Sequence, residues 1–253
     1  MKVALIIPAR NEEKNIAKMV TMTLAIYDSY INQVIVVNDA SSDNTAKIVA
    51  KIGKKDKRIK LINRKSPPGV GLALREGLRH VSSDCDYILT MDADFIRNIV
   101  DLQEFFEKIK DYDGLIGSRY LEKYSLVHYP FFKRFFNRMF HILVFLFLGI
   151  RNKDLTNNFK LYKKEIFDHI QLTANDFAIN AETGLYPILL GYKIGELPVT
   201  WYARERDMGQ SKFQLLKFAP SYIRVLLQAA NISDKKSAKI LNIFLPLLRQ
   251  MDR

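Results

Sequence analysis

The feature that most constrains this chain is the alternation of short β-branched runs with helical spacing through its first ninety residues. "KVALIIPA", "QVIVVND", "RIKLINR" and "DYILTM" each read as a strand. Between the first two, Ile16, Met19, Val20 and Leu24 recur at helical spacing. "SSDNTAKIVAKIGKK", with Ser42 or Asp43 near its cap, and "VGLALREGLRHV" read as two further helices. The second strand is a continuous Val and Ile run, the pattern of a strand covered on both faces. The rhythm βαβαβαβ predicts an α/β fold, a mostly parallel sheet with helices on both faces. Ligands of such sheets gather at the carboxyl ends of the strands.

Composition narrows the class. The chain has 253 residues, 48% of them hydrophobic, enough for one large domain or a domain with an appendage. Its one cysteine, Cys85, excludes an internal disulfide and a cysteine-based zinc site. The net charge is +12, spread along the chain rather than gathered in a tail. That spread argues against nucleic acid and leaves phosphorylated ligands or an anionic membrane surface. No signal peptide is expected, because "MKVALIIPARNEE" turns charged too early for one. The longest apolar run, "MFHILVFLFLGI", is interrupted by His141 and is too short to span a bilayer.

Polar groups end the strands. The first closes on Pro8, Ala9, Arg10, Asn11 and Glu12, the second on Asn38 and Asp39, the fourth on Asp92, Ala93 and Asp94. If residues 92–94 stay extended, Asp92 and Asp94 point the same way, ~6–7 Å apart along the chain. Two unpaired carboxylates that close repel unless a cation lies between them. Oxygen ligands favour Mg²⁺ or Mn²⁺, and Mg²⁺ takes one or two carboxylates together with substrate phosphates. The first strand runs into "PARNEE" and not a G-x-G-x-x-G turn, which disfavours a dinucleotide dehydrogenase.

In this order, "PARNEE", "VVNDASSDNT", "MDADF", "GSRY" and "RERDMGQSK" resemble the family-two nucleotide-sugar glycosyltransferases of the GT-A fold. Within them the chain is most similar to the dolichol-phosphate mannose synthase-like (polyprenyl-phosphate glycosyltransferase) group, over roughly residues 1–215. The resemblance implies an inverting hexosyltransferase that moves a sugar from GDP-mannose or a UDP-hexose to a polyprenyl or dolichyl phosphate. It implies that Pro8, Ala9, Arg10 and Glu12 border the nucleotide and that Asp39 contacts the base. Gly71 and Arg75 fall near the nucleotide, and Asp92 and Asp94 hold the metal and the diphosphate. Arg206 and Lys212 match a loop that closes over the donor phosphates. Arg119 matches the arginine that meets the acceptor phosphate, and Lys133 and Asn137 match two further acceptor contacts. A lipid phosphate is largely ionised near neutral pH, so no separate base is needed.

The chain departs from the pattern in places. Asn38 replaces the first acid of the base-binding pair, and Ile96 replaces a third metal ligand. Lys133 and Asn137 stand for a basic residue and a serine. Asn158 stands at a glycine position, which a left-handed Asn would satisfy.

The expected division is a catalytic domain over 1–212 and a helical, membrane-associating tail over 213–253. Segment 131–150 sets Lys133, Arg134, Arg138 and Arg151 around a Phe- and Leu-rich stripe, which reads as a helix in the membrane interface. The tail either adds a second such surface or buries against the first. The chain is expected to be peripheral, on the cytoplasmic side of the membrane, alone or with an integral-membrane partner. Two alternatives stay open. One is transfer to a sugar hydroxyl, for which Glu182 in "NAET" lies where such relatives carry a catalytic base. The other is a catalytically silent nucleotide-binding membrane subunit.

Overall fold

The structure, a computed structural model, describes residues 1–202 and 215–233. The expected first four strands form as β1 (Val3–Ala9), β2 (Ile31–Asp39), β3 (Ile59–Arg64) and β4 (Tyr87–Thr90). They are followed by β5 (Gly114–Ser118), β6 (Leu126–Val127), β7 (Lys160–Lys163), β8 (Ile194–Pro198) and β9 (Trp201–Tyr202). Seven strands make one sheet in the order β3-β2-β1-β4-β7-β5-β8, and only β7 runs against the others. β6 and β9 form a separate two-stranded parallel ribbon.

Helices cover both faces because the central strands are apolar on both. α1 (Ile16–Ile26), α2 (Thr45–Gly53) and α4 (Leu102–Lys108) pack on Val3, Leu5, Ile7, Val34 and Val36. α3 (Val70–Leu78) covers the opposite side of the same strands, at Ile6, Ile35, Val37 and Ile88. The far half of the sheet is covered by α5 (Phe131–Leu148), the short α6 (Ile166–His169), α7 (Ile179–Leu189) and α8 (Leu215–Ser233).

β7 was not anticipated. It is four residues long, and its first residue, Lys160, reads as a solvent-facing charge. The structure buries it instead: Lys160 Nζ donates to Asn180 O at 2.5 Å and to Thr183 Oγ1 at 2.7 Å. Burial pushes its pKa well down.

α8 lies wholly within the expected tail, 213–253, yet packs on the rest of the fold. Its Val225, Leu226 and Ala229 share a core with Phe140 and Val144 of α5 and Leu185 of α7. The Tyr222 and Phe140 rings meet edge-on at 5.4 Å. This helix packs on the buried side of α5, away from its exposed apolar residues, and residues 234–253 lie outside the described residues. No helix among the described residues is long and apolar enough to cross a membrane.

α7 approaches the chain at 154–156 closely because Gly184 has no side chain. A Cβ there would sit 2.3 Å from the Leu155 carbonyl oxygen, a backbone atom that cannot swing away. Gly184→Ala is expected to lower unfolding free energy by roughly 1–3 kcal/mol, read from urea denaturation, because overpacking displaces backbone.

Candidate active site

The sheet opens between β1 and β4. Strand order reverses there, the usual place for a ligand crevice in an open α/β sheet. Pairing between the two ends at Ile6–Thr90, with a last bond from Met91 N–H to Ile6 O at 3.3 Å. Pro8 has the parity of Ile6, so its missing N–H falls where the next ladder bond would form. Pro8 and Ala9 therefore lie inside β1, paired to β2 only, and Ala9 is buried.

The loops after β1 and β2 are laced together. Asn11 and Ala40 both take left-handed backbone, with φ of 53° and 52°. Asn11 N–H donates to Ser41 Oγ at 3.0 Å, and Ser42 N–H donates to Asn11 Oδ1 at 2.8 Å. Glu13 N–H donates to Asp43 Oδ2 at 3.1 Å, and Asn44 N–H donates to Glu13 Oε2 at 3.0 Å. Glu12 is buried. Its N–H donates to Thr45 Oγ1 at 2.8 Å, and its carboxylate accepts from Asn15 Nδ2 at 2.7 Å. Arg10 is exposed at the head of the loop, and its charge reaches Asp39.

Asp39 is nearly fully buried at the tip of β2. It pairs with Arg64 of β3, and its second oxygen accepts Gly69 N–H at 2.7 Å. Burial pushes its pKa up, against the pull of Gly69 N–H and Arg64. Asn38, in the place of the family's first acid, donates to Asn63 Oδ1 at 2.9 Å, and its own Oδ1 is buried without a partner among the described residues. Gly71 and Arg75 face the chain at 174–175. Gly71 N–H donates to Asn175 O at 3.1 Å, and a Cβ there would strike Ala174 O at 2.2 Å. The Arg75 guanidinium donates to Ala174 O and, at 2.5 Å, to Asn175 Oδ1.

The acid pair sits on a turn, which corrects the extended geometry read from the sequence. β4 stops at Thr90, and Phe95 N–H donates back to Asp92 O at 3.2 Å. Asp94, with φ −96° and ψ 2°, occupies the third position of a type I turn. It precedes a 3₁₀ segment (Phe95–Asp101) but makes no side-chain cap hydrogen bond to it. Asp92 Oδ1 accepts from Asn158 Nδ2 at 2.8 Å, and Thr90 Oγ1 donates to Asn158 O at 2.8 Å. Asn158 does not take left-handed backbone. It holds the Asp92 turn, a contact that its place at a family glycine position did not reveal. Ile96 is buried in the core, consistent with its inability to ligate.

Among the described residues no third His, Cys, Asp or Glu joins the pair. Two carboxylates on one turn fit Mg²⁺ or Mn²⁺ completed by phosphate oxygens and water.

On the other side of β4 lies a cluster around Arg119. Its Nε and Nη2 donate to Asp154 at 2.6 and 2.8 Å, and its N–H donates to the same carboxylate at 3.0 Å. Asp154 has no solvent exposure. Burial pushes its pKa up, but Arg119 more than offsets this and leaves the carboxyl below its usual range. Burial likewise opposes the charge on Arg119, and Asp154 outweighs it, raising that pKa. Nη1 takes no part in the pair, and Arg119 lines a small cleft with Phe95, Asn98, Asn157 and Trp201. Asn137, an expected acceptor contact, donates from Nδ2 to Thr156 Oγ1 at 2.8 Å and so braces the cluster. Lys133 is half-buried on α5. Arg138 stacks on Tyr120, 3.5 Å from the ring centroid. Arg206 and Lys212 lie outside the described residues.

A crevice of this kind marks an α/β enzyme that handles a phosphorylated nucleotide. Residues 4–171 match the family described as Glycosyl transferase family 2. The chain belongs to that family and is a glycosyltransferase. It is 30% identical over 245 residues to a dolichyl-phosphate beta-glucosyltransferase of Trichomonas vaginalis, covering 88% of this chain and 72% of that one. An undecaprenyl-phosphate mannosyltransferase of Micrococcus luteus is 26% identical over 218 residues, covering 84% and 87%. Among solved structures, glucosyl-3-phosphoglycerate synthase from Mycobacterium tuberculosis, in complex with Mn²⁺, uridine diphosphate and phosphoglyceric acid, is similar with a TM-score of 0.67. It is 16% identical over 92% of this chain and 80% of that one, a likeness of fold.

His141 supports the Arg119 cluster from α5. Its Nδ1–H donates to Asn137 O at 2.7 Å, and its Nε2 accepts Leu155 N–H at 2.8 Å. Burial pushes its pKa down to about 4 from 6.5, with Asp154 opposing. The unfolded chain therefore binds the extra proton first as pH falls below 6.5, and stability drops until about pH 4. The expected loss over that window is about 3 kcal/mol. Urea titrations at several pH values should show that slope in the wild type and a flatter one in His141→Gln.

Proposed function

We propose that this enzyme transfers a hexosyl group from a nucleoside-diphosphate sugar to the phosphate of a polyprenyl lipid, with inversion. One acceptor phosphate oxygen attacks the anomeric carbon. The bond from that carbon to the diphosphate breaks, and the nucleoside diphosphate leaves with the electron pair.

The observation that carries the reading is the proposed acceptor side itself, which offers a fixed guanidinium, while Glu182, the base that the hydroxyl alternative would use, is engaged elsewhere. Glu182 is fully buried. It accepts Thr173 N–H at 2.9 Å, the Thr173 hydroxyl at 2.7 Å and Ala174 N–H at 3.1 Å. A carboxylate so engaged is a structural anchor for the chain at 173–174. A sugar hydroxyl would need a base, whereas a phosphate monoester is already largely ionised at neutral pH, its second pKa being about 6. Asp154 holds Arg119 by two of its nitrogens, and the remaining amino group meets the acceptor phosphate. Lys133 adds a second positive charge. The relatives named for dolichyl- and undecaprenyl-phosphate acceptors support the same class.

On the donor side, Arg10, Asp39 and Arg64 frame the nucleotide, and Asp92 and Asp94 hold Mg²⁺ or Mn²⁺ on the diphosphate. A bound divalent ion neutralises charge on the departing diphosphate. Arg206 and Lys212 are assigned to the same phosphates. The enzyme works at the cytoplasmic face of a membrane, alone or beside an integral-membrane partner.

The test is transfer from labelled UDP- and GDP-sugars to polyprenyl phosphate in detergent with Mn²⁺. Wild type should form a sugar-phosphate-lipid, and Asp94→Ala should lose most of that activity. Equal residual, background-level activity in the two proteins would favour a silent subunit, and exclusively sugar–sugar products would favour a hydroxyl acceptor. Arg119→Ala and the milder Arg119→Lys should lower kcat/KM for the lipid phosphate by about 10- to 100-fold, the worth of a charge-assisted contact. Both should keep nucleotide affinity, read by calorimetry. A fall in donor affinity instead would misplace that arginine.

A further inference from the structure

α5 has an outward face that an ordinary surface helix does not. Eight of its positions between 131 and 146 are exposed, and only Arg134 among them is polar. The other seven are Phe131, Phe132, Phe135, Met139, Ile142, Phe145 and Leu146, with Phe131, Phe132 and Leu146 each about two-thirds or more exposed. At 3.6 residues per turn they fall on one arc of about 140°, opposite the buried Phe140 and Val144, and run for about 22 Å. So large a continuous apolar surface marks a contact site.

Charge says what covers it. From Lys123 to Lys153 the chain contains no Asp or Glu and six basic residues: Lys123, Lys133, Arg134, Arg138, Arg151 and Lys153. Arg134 and Arg151 are exposed, and the Arg151 guanidinium lies 5.9 Å from the Phe145 ring centroid, at the border of the apolar face. Two copies meeting through this face would bring like charges together on chains that each carry +12. A bilayer surface rich in anionic headgroups matches both parts, with rings in the acyl boundary and cations at the phosphates.

We propose that α5 lies flat in an anionic membrane surface with this face down. The inner side of the same helix reaches the acceptor site. Asn137 donates to Thr156 at 2.8 Å, and Arg119 Nη2 reaches the same Thr156 oxygen at 3.4 Å. Resting here on the proposed acceptor, the helix that rides the interface also sets the depth at which a lipid phosphate meets Arg119.

Flotation with vesicles tests this, using the full chain without polyprenyl phosphate or nucleotide sugar. Wild type should float with phosphatidylcholine–phosphatidylglycerol vesicles and much less with phosphatidylcholine alone. Phe132→Ser/Phe135→Ser/Ile142→Ser should weaken partitioning by roughly tenfold or more. Val100→Ser, which removes an exposed apolar side chain outside α5, should not. Arg134→Glu/Arg151→Glu should remove the preference for the anionic lipid. All substituted positions are on the surface, and a melting curve checks that the fold is kept. Unchanged flotation of the triple variant would overturn the proposal. So would a wild type that ignores vesicles but elutes as a dimer which the triple variant dissociates. Transfer to a short-chain isoprenyl phosphate in detergent separates the two claims. The triple variant should keep it, and its absence from wild type would sink the acceptor reading while leaving the docking result standing.

Discussion

A fully buried carboxylate organises the cluster around Arg119. Asp154 takes the Arg119 side chain and backbone N–H, while its own N–H donates to Glu196 on β8 at 2.8 Å. His141 fixes the next residue along, and Asn137 fixes the one after that. The tip of β5, the chain at 153–156, α5 and β8 thus meet on one buried charge. A buried pair of this kind contributes little net stability, yet removing one partner costs about 3–5 kcal/mol because the other is left uncompensated. Its value lies in direction: a long, flexible arginine is held in one pose at the wall of the cleft.

The proposed donor side is held by hydrogen bonds between its loops, several of them to the Glu13 and Asp43 carboxylates. The loops after β1 and β2 each enter through a left-handed residue and then exchange backbone-to-side-chain bonds along their length. Neither loop holds its shape alone. Asp39 and Arg64 then link β2 to β3 at the rim, and Asn158 joins the Asp92 turn to the strand beside it. The two clusters share one border, β4 and its turn, where the reacting groups of the proposed donor and acceptor would meet.

Much of this was legible in the amino-acid order. Runs such as "QVIVVND" announce a doubly covered strand, and four of them fix the parallel half of the sheet and the rim on which Asp39, Asp92 and Asp94 fall. What escaped were polar residues whose meaning depends on distant partners. Asp154 and Asn158 find theirs 35 and 66 positions away. Lys160 hid a strand because a lone lysine reads as solvated, and only the carbonyl and hydroxyl on α7 explain its burial. The acid pair was read with the wrong shape, since pleat geometry was extended past the last ladder bond. Glu182 was ambiguous for the same reason: its local sequence says nothing of the backbone donors at 173–174 that occupy it.

Pro8 carries a kinetic consequence. Because this imino acid ends the ladder between the two central strands, the gap above Ile6 and Thr90 costs no broken bonds to enter. Arrival of a nucleotide need not wait for strands to part. At the proposed donor site, the long-range pull of a cationic protein on an anionic guest should speed arrival, and arrival should slow as ionic strength rises.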